Sequence, residues 1–316
     1  MSSDPPEDRA PGTPTKVVYV MGAGRSGSTI LGVTLGNCDG VCFAGELDKW
    51  LVRSGRPKLE DEPRVRFWSR VAELVPDGAE LYGHAAHGSL ERSSALFRRG
   101  AARRRRRLKE PYLRVMSELY RAVAETAGAE IVVDTSHYPL RAHALSAAEG
   151  IELHLVMLVR DPQDVVASFA KADVAERRFS PATTCLYLLL TYAVAAWVFA
   201  RQPRSRRLAL RYEDFLGDPE GAVSAILANA GSTAQPPDFA SLQTGPALHG
   251  NRLLSSPVVS LERGAGRDER SPRPALPVRV FARLLLSALA PFGPRVSASQ
   301  PTAAASSPRS DTSSRG

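Results

Sequence analysis

A chain of 316 residues and 34.1 kDa has room for one large α/β domain or two small ones. Its 43% hydrophobic content excludes a disordered chain, and three cysteines without a C-x-x-C spacing exclude a disulfide scaffold and give no zinc pattern. The 41 basic residues against 33 acidic give a net charge of +8, which suits anionic partners without naming one. Only five of those bases are Lys, an arginine skew that reads as coding bias. The free cysteines suit a reducing, cytoplasmic compartment.

Residues 1–15 are polar and proline-rich, with no apolar stretch of the kind a secretory leader carries, and read as a frayed tail. Residues 16–21 (KVVYVM) form a short buried strand that runs into a glycine-rich loop at 22–29 and a helix ending near Gly36. A second strand is expected at 41–44, whereas residues 57–107 are polar and hard to place. A helix is expected from Pro111, with Leu113, Met116, Tyr120 and Val123 on one face and Gly128 as its stop. Strand 131–134, helix 140–149, strand 153–159 and a helix from Pro162 follow. Residues 183–200 carry no charge, but the run is short for a membrane span and holds three Thr and two Tyr, so it reads as a buried helix. Strand 208–212 and helix 220–230 complete the pattern; order weakens after Gly231, and residues 297–316 read as a disordered tail. Strands alternating with helices predict a central parallel sheet with helices on both faces. The expected layout is one domain over 16–296, with a variable helical insertion near 50–125.

Glycines and free N–H groups between a strand and a helix make an anion site. Gly22, Gly24 and Gly27 fit G-x-G-x-x-G, with Glu46 as the acidic residue a dinucleotide would want, so a dinucleotide-dependent oxidoreductase is one reading. The P-loop pattern G-x-x-x-x-G-K-[ST] fails at its decisive place, because Ser28 stands where the Lys belongs. The third reading takes Arg25, Ser26, Gly27, Ser28 and Thr29 as the core, with the cation moved to the front and two hydroxyls after the glycine. A second cation stands in Arg160-Asp-Pro at the end of strand 153–159. Asp161 is a natural cap, Pro162 a natural first helical residue, and Ser168 lies two turns on, so an arginine fork and a hydroxyl converge as a phosphate monoester requires.

These two segments together resemble the PAPS-dependent sulfotransferases, in the branch with carbohydrate, tyrosylprotein and many bacterial members. The resemblance implies a P-loop-type three-layer α/β fold and transfer of a sulfuryl group from PAPS (3′-phosphoadenosine 5′-phosphosulfate) to an acceptor hydroxyl, with release of PAP and no metal. It implies that Gly24 to Thr29 hold the 5′-phosphosulfate and that Arg160 and Ser168 hold the 3′-phosphate. Arg211-Tyr-Glu-Asp-Phe215 resembles the family's R-Y-E-D-L segment, placing Tyr212 near the nucleotide or simply in the core. His249-Gly-Asn-Arg252 resembles its G-N-x-R loop, so Asn251 and Arg252 are expected at the 3′ end.

Glu46, in Phe43-Ala-Gly-Glu46, resembles the segment that supplies the base in tyrosylprotein-type members; His84 and His87 are the alternatives. Bacterial relatives commonly place Lys after D-[ST]-S, where this chain has His137, a weaker cation near neutral pH. The acceptor is expected to be a glycan, a glycolipid or a small metabolite. A non-catalytic PAP or polyanion binder is the remaining alternative. Residues 98–107 contain seven Arg and read as a solvated helix end, with a membrane surface as the sharper alternative; without interleaved aromatics they give no nucleic-acid module.

Overall fold

A computed structural model of the chain describes residues 13–75, 90–92, 101–170, 179–261 and 275–292. Residues 1–12 of the expected N-terminal tail, the C-terminal tail, His84, His87 and the first arginines of the basic run lie outside the described residues, whereas Thr15, expected in the tail, opens the first strand. Five segments form the central sheet: β1 (Thr15–Gly22), β2 (Val41–Gly45), β3 (Ile131–His137), β4 (Ile151–Val159) and β5 (Arg207–Arg211), of which β1, β3 and β4 are rich in β-branched residues. All pair in parallel, in the order β2-β3-β1-β4-β5. A parallel sheet needs both faces covered, and β1 shows how that is met. Val17, Tyr19 and Met21 face one apolar core, Val18 and Val20 the other.

The first core is built with α2 (Lys49–Val52), α3 (Glu62–Leu74), α4 (Ala101–Ala127), α5 (Pro139–Leu145), α6 (Pro162–Ala170), α7 (Pro181–Arg201) and α10 (Leu276–Leu289). The second holds α1 (Ser28–Leu35), α8 (Tyr212–Gly217), α9 (Pro219–Asn229) and a small antiparallel pair, β6 (Leu242–Gln243) with β7 (Val258–Val259). The chain leaves β1 toward β2 on one side and β4 toward β5 on the other. A crevice therefore opens at the carboxyl ends of β1 and β4, where open α/β sheets place ligands.

Three expectations are corrected. The helix expected from Pro111 begins ten residues earlier, and Pro111 sits inside α4. Arginine favours helix, and the buried stripe of Tyr112, Val115, Met116, Leu119, Tyr120 and Val123 anchors the rod, which outweighs one lost N–H bond. The 183–200 run is a helix, but only one of its faces is buried. Leu188, Tyr192, Ala195 and Val198 point inward, while Leu186, Leu189, Leu190 and Trp197 are exposed. By length and composition alone α7 is long and apolar enough to cross a membrane. Order also persists beyond Gly231, where β6 and β7 pair and α10 packs on α6 and α7.

Candidate active site

The loop after β1 is shaped by two residues in left-handed backbone, Arg25 (φ 68°) and Gly27 (φ 89°). Only glycine fits at position 27, because an added Cβ would overlap the Tyr212 ring. Gly27 caps α1 without any side-chain hydrogen bond, so the positive end of the helix faces the crevice. Ser28 and Thr29 open the helix, Ser28 half-buried and Thr29 buried. From the other side α7 props the loop. The Gly24 N–H donates to the Tyr187 hydroxyl at 2.8 Å, Ser26 Oγ lies 3.4 Å from the Tyr192 hydroxyl, and Tyr192 donates to the Leu158 carbonyl at 3.1 Å.

Arg160 leaves the end of β4 and reaches the same loop. Its Nη1 donates to the Arg25 carbonyl at 3.2 Å, and its guanidinium stacks 4.8 Å from the centre of the Tyr212 ring. Tyr212, the first residue of α8, thus lies against both Gly27 and Arg160. Asp161 caps the next helix as expected, its carboxylate accepting from the Gln163 N–H at 2.8 Å. The Asp161 N–H donates to Glu213 at 2.8 Å, which ties the R-D-P segment to the R-Y-E-D segment. Ser168 is half-buried on α6.

A second group of side chains gathers where β2, β3 and the 248–252 loop end. The Leu248 N–H donates to the Ala44 carbonyl at 2.8 Å and the Glu46 N–H to the His249 carbonyl at 2.9 Å. Gly45 (φ 82°) makes this approach possible, since a Cβ there would stand 2.5 Å from the His249 oxygen. The pairing brings Glu46 Oε2 to 2.8 Å from His249 Nδ1. Burial alone would raise the Glu46 pKa, but the His249 bond and the positive potential of His137, His249 and Lys49 outweigh it and lower it to about 2. An ionised carboxylate has no proton to give, so Nδ1 donates, and a neutral ring would carry its lone pair on Nε2. Asn251 is exposed, and its side chain accepts from the Leu253 N–H at 2.8 Å to turn the loop; Arg252 beside it is exposed as well. Gly250 packs against Thr29, so this loop abuts the phosphate-loop helix.

His137 closes β3 in left-handed backbone (φ 56°), with its ring stacked on Tyr138 at 4.5 Å. Lys49 is the lysine beside this turn. Lys49 Nζ sits 2.5 Å from Asp48 and 5.8 Å from the centre of the Tyr138 ring. Burial works against its charge, but Asp48, Tyr138 and Glu46 hold its pKa above the usual lysine value.

Beneath these loops lies a buried charge cluster. Arg141 is fully buried and paired with Glu91 and with Asp134 Oδ2 at 3.3 Å, and Tyr120 donates to Asp134 at 2.5 Å. Asp134 Oδ1 accepts from the Ser136 N–H at 2.8 Å and from the Ser136 hydroxyl, and Ser136 Oγ accepts from the Asp48 N–H at 2.9 Å. One carboxylate thereby fixes both the turn before His137 and the loop after Glu46. Sequence reasoning missed Tyr187, Tyr192, Lys49 and Arg141, and it named His249 only as part of a loop motif.

An anion-binding strand–loop–helix with a second cation at the next strand end, on a parallel sheet, defines a P-loop-type nucleotide-binding protein. A model of the sulfotransferase family matches residues 18–236, and the chain belongs to that family. It is a transferase that moves a sulfuryl group, and the oxidoreductase alternative falls away. The sulfotransferase domain of the Synechococcus PCC 7002 olefin synthase is similar in structure. The TM-score is 0.57 at 16% identity, over 92% of this chain and 98% of that one. The sulfotransferase domain of the curacin biosynthetic pathway gives a TM-score of 0.53 at 16% identity, over 90% and 99%. At such identity the likeness establishes the fold. No curated protein sequence matches this chain.

Proposed function

We propose that the sulfuryl donor is PAPS and that the acceptor is a hydroxyl of a glycan, a glycolipid or a small metabolite. The observation that carries the reading is the meeting of Arg160 with the Arg25 carbonyl, which joins two cation-bearing motifs 135 residues apart into one site. Arg25, Ser26, Gly27, Ser28, Thr29 and the Gly24 backbone grip the 5′-phosphosulfate. Arg160 and Ser168 take the 3′-phosphate, a monoester that suits a guanidinium fork, while Tyr212 packs beside them and Asn251 and Arg252 approach the same end.

The acceptor oxygen attacks sulfur in line, the bond from sulfur to the bridging phosphate oxygen breaks, and PAP leaves with the bond's electrons. By analogy with phosphoryl transfer, positioning and electrostatics carry most of the catalysis. Arg25, Ser28 and Thr29 stabilise charge on the bridging oxygen, and Lys49 and His137 add positive potential near the transferred group. The acceptor's proton goes to the Glu46–His249 pair. His249 Nε2 accepts it and Glu46 stabilises the imidazolium that forms, or Glu46 accepts it directly when His249 turns away. A cytoplasmic setting would provide the donor, and the exposed arginines of α4 favour an anionic surface nearby.

Transfer of the labelled sulfuryl group from PAPS to pooled hydroxyl acceptors, with matching formation of PAP, tests the reading. Glu46→Gln should keep PAP affinity within about two-fold and lower turnover by roughly 10²–10⁴-fold. Equal turnover by wild type and variant would remove Glu46 from the chemistry.

A further inference from the structure

Of the ten large apolar side chains exposed among the described residues, seven lie on α7 and α10: Leu186, Leu189, Leu190 and Trp197 on the first, Leu276, Val280 and Leu284 on the second. The two helices pack against each other, and neither contains an acidic residue. Leu276, Val280 and Leu284 recur every four residues, so they form one stripe, and exposed Arg279 and Arg283 flank it. An apolar helix face edged by arginine is the pattern of a helix lying at a lipid surface.

The basic run adjoins this face. Trp197 packs edge-on against His143 at 4.9 Å, and Arg201 lies 4.0 Å over the Trp197 ring. Burial and the positive charges of Lys109, Arg201 and Arg105 lower the His143 pKa, so all three cations surround the residue that touches Trp197. Helix α5, which carries His143, packs on both α4 and α7. Arg103, Arg104, Arg106 and Arg107 stand exposed on α4 beside it. The arrangement is therefore a wide apolar patch, a tryptophan at its margin, and a dense arginine bank beyond the tryptophan. Tryptophan at such a margin suits the boundary between acyl chains and headgroups.

We propose that α7, α10 and the arginines of α4 form one docking surface for an anionic phospholipid bilayer, with Leu186, Leu190, Val280 and Leu284 entering the acyl boundary and the α4 arginines engaging the headgroups. The charge decides between occupants. A second copy of this chain would add a second arginine bank to the same interface without any acidic residue from α7 or α10 to offset it, whereas an anionic leaflet supplies the complementary sign. The opposite face of α7 holds Gly24 and Ser26 through Tyr187 and Tyr192, so the helix that meets lipid also carries the phosphosulfate loop.

Flotation of the full chain with phosphatidylglycerol vesicles and with phosphatidylcholine vesicles tests this. Partitioning onto the anionic vesicles should be at least ten-fold stronger. It should fall at least ten-fold both in Leu186→Ser/Leu190→Ser/Leu284→Ser and in Arg103→Ser/Arg104→Ser/Arg106→Ser/Arg107→Ser, with melting temperature and PAP affinity unchanged. No partitioning onto either vesicle would overturn the proposal. Arginine-dependent binding that ignores the leucine changes would also overturn it, since the apolar face would then have no part. A dimer by light scattering that the leucine changes dissolve would assign the face to a second copy instead.

Discussion

Glu46 and His249 lie 203 positions apart in sequence and 2.8 Å apart in space, and their pairing decides the pH behaviour of the site. The Glu46 carboxyl falls from the ordinary 4.5 to about 2 in the folded chain. A depressed folded value means stability that is fully present above the unfolded pKa and lost as pH falls through the folded one. Wild type should therefore shed this contribution between about pH 4.5 and 2, and Glu46→Gln should show a shallower fall in melting temperature across that window. An identical acid profile in both proteins would contradict the pairing. For turnover, Glu46 stays ionised at every working pH. The sequence singled out Glu46 through the resemblance of its Gly-Glu segment to the family's, but not His249 as its partner. That contact depends on two backbone hydrogen bonds from a distant loop, which leave no local pattern.

Among the elements, α7 is the one whose sequence concealed the most. Its uncharged run reads as core, and tyrosines within such a run read as packing. In the fold one face carries Tyr187 and Tyr192 to the phosphosulfate loop and the other stays open. Tyr187→Phe keeps the ring but leaves the Gly24 N–H without its acceptor. The loss of one such bond, on the order of 1 kcal/mol, should weaken PAP binding about five-fold by calorimetry. An unchanged affinity would show that the loop holds its shape without α7. The strand–loop–helix units, by contrast, were legible to within a residue around the glycine loop and to within three or four at the ends of β3 and α5. β-Branched runs, Asp161 with Pro162, and the glycines at 22–27 act locally, and local rules fix them. The α4 start was misread because Pro111 stops a helix only when no buried stripe downstream holds it.

At the scale of the whole molecule, the sheet gathers every motif at its carboxyl edge, and the Arg141 cluster lies buried beneath it. Nothing in the sequence marks Arg141, because its partners Glu91 and Asp134 come from separate segments. Arg141→Ala leaves two buried carboxylates without their cation and should cost about 3–5 kcal/mol in denaturant unfolding. A loss under about 1 kcal/mol would mean that water or another cation satisfies the cluster. The parallel sheet with helices on both faces was foreseen from alternation alone. The exposed apolar face was not, because periodicity shows where a helix is apolar and not which side the rest of the chain covers.

The central claim is that one crevice grips two phosphates, with the loop after β1 on one and Arg160 on the other. The most direct test is calorimetric titration of wild type and Arg160→Ala with PAP and with 5′-AMP, at moderate salt, with NAD as control. Wild type should bind PAP at micromolar concentration and prefer it to 5′-AMP by at least ten-fold, and Arg160→Ala should erase that preference while binding 5′-AMP as before. Tight NAD binding, or a PAP preference that survives the loss of Arg160, would contradict the account.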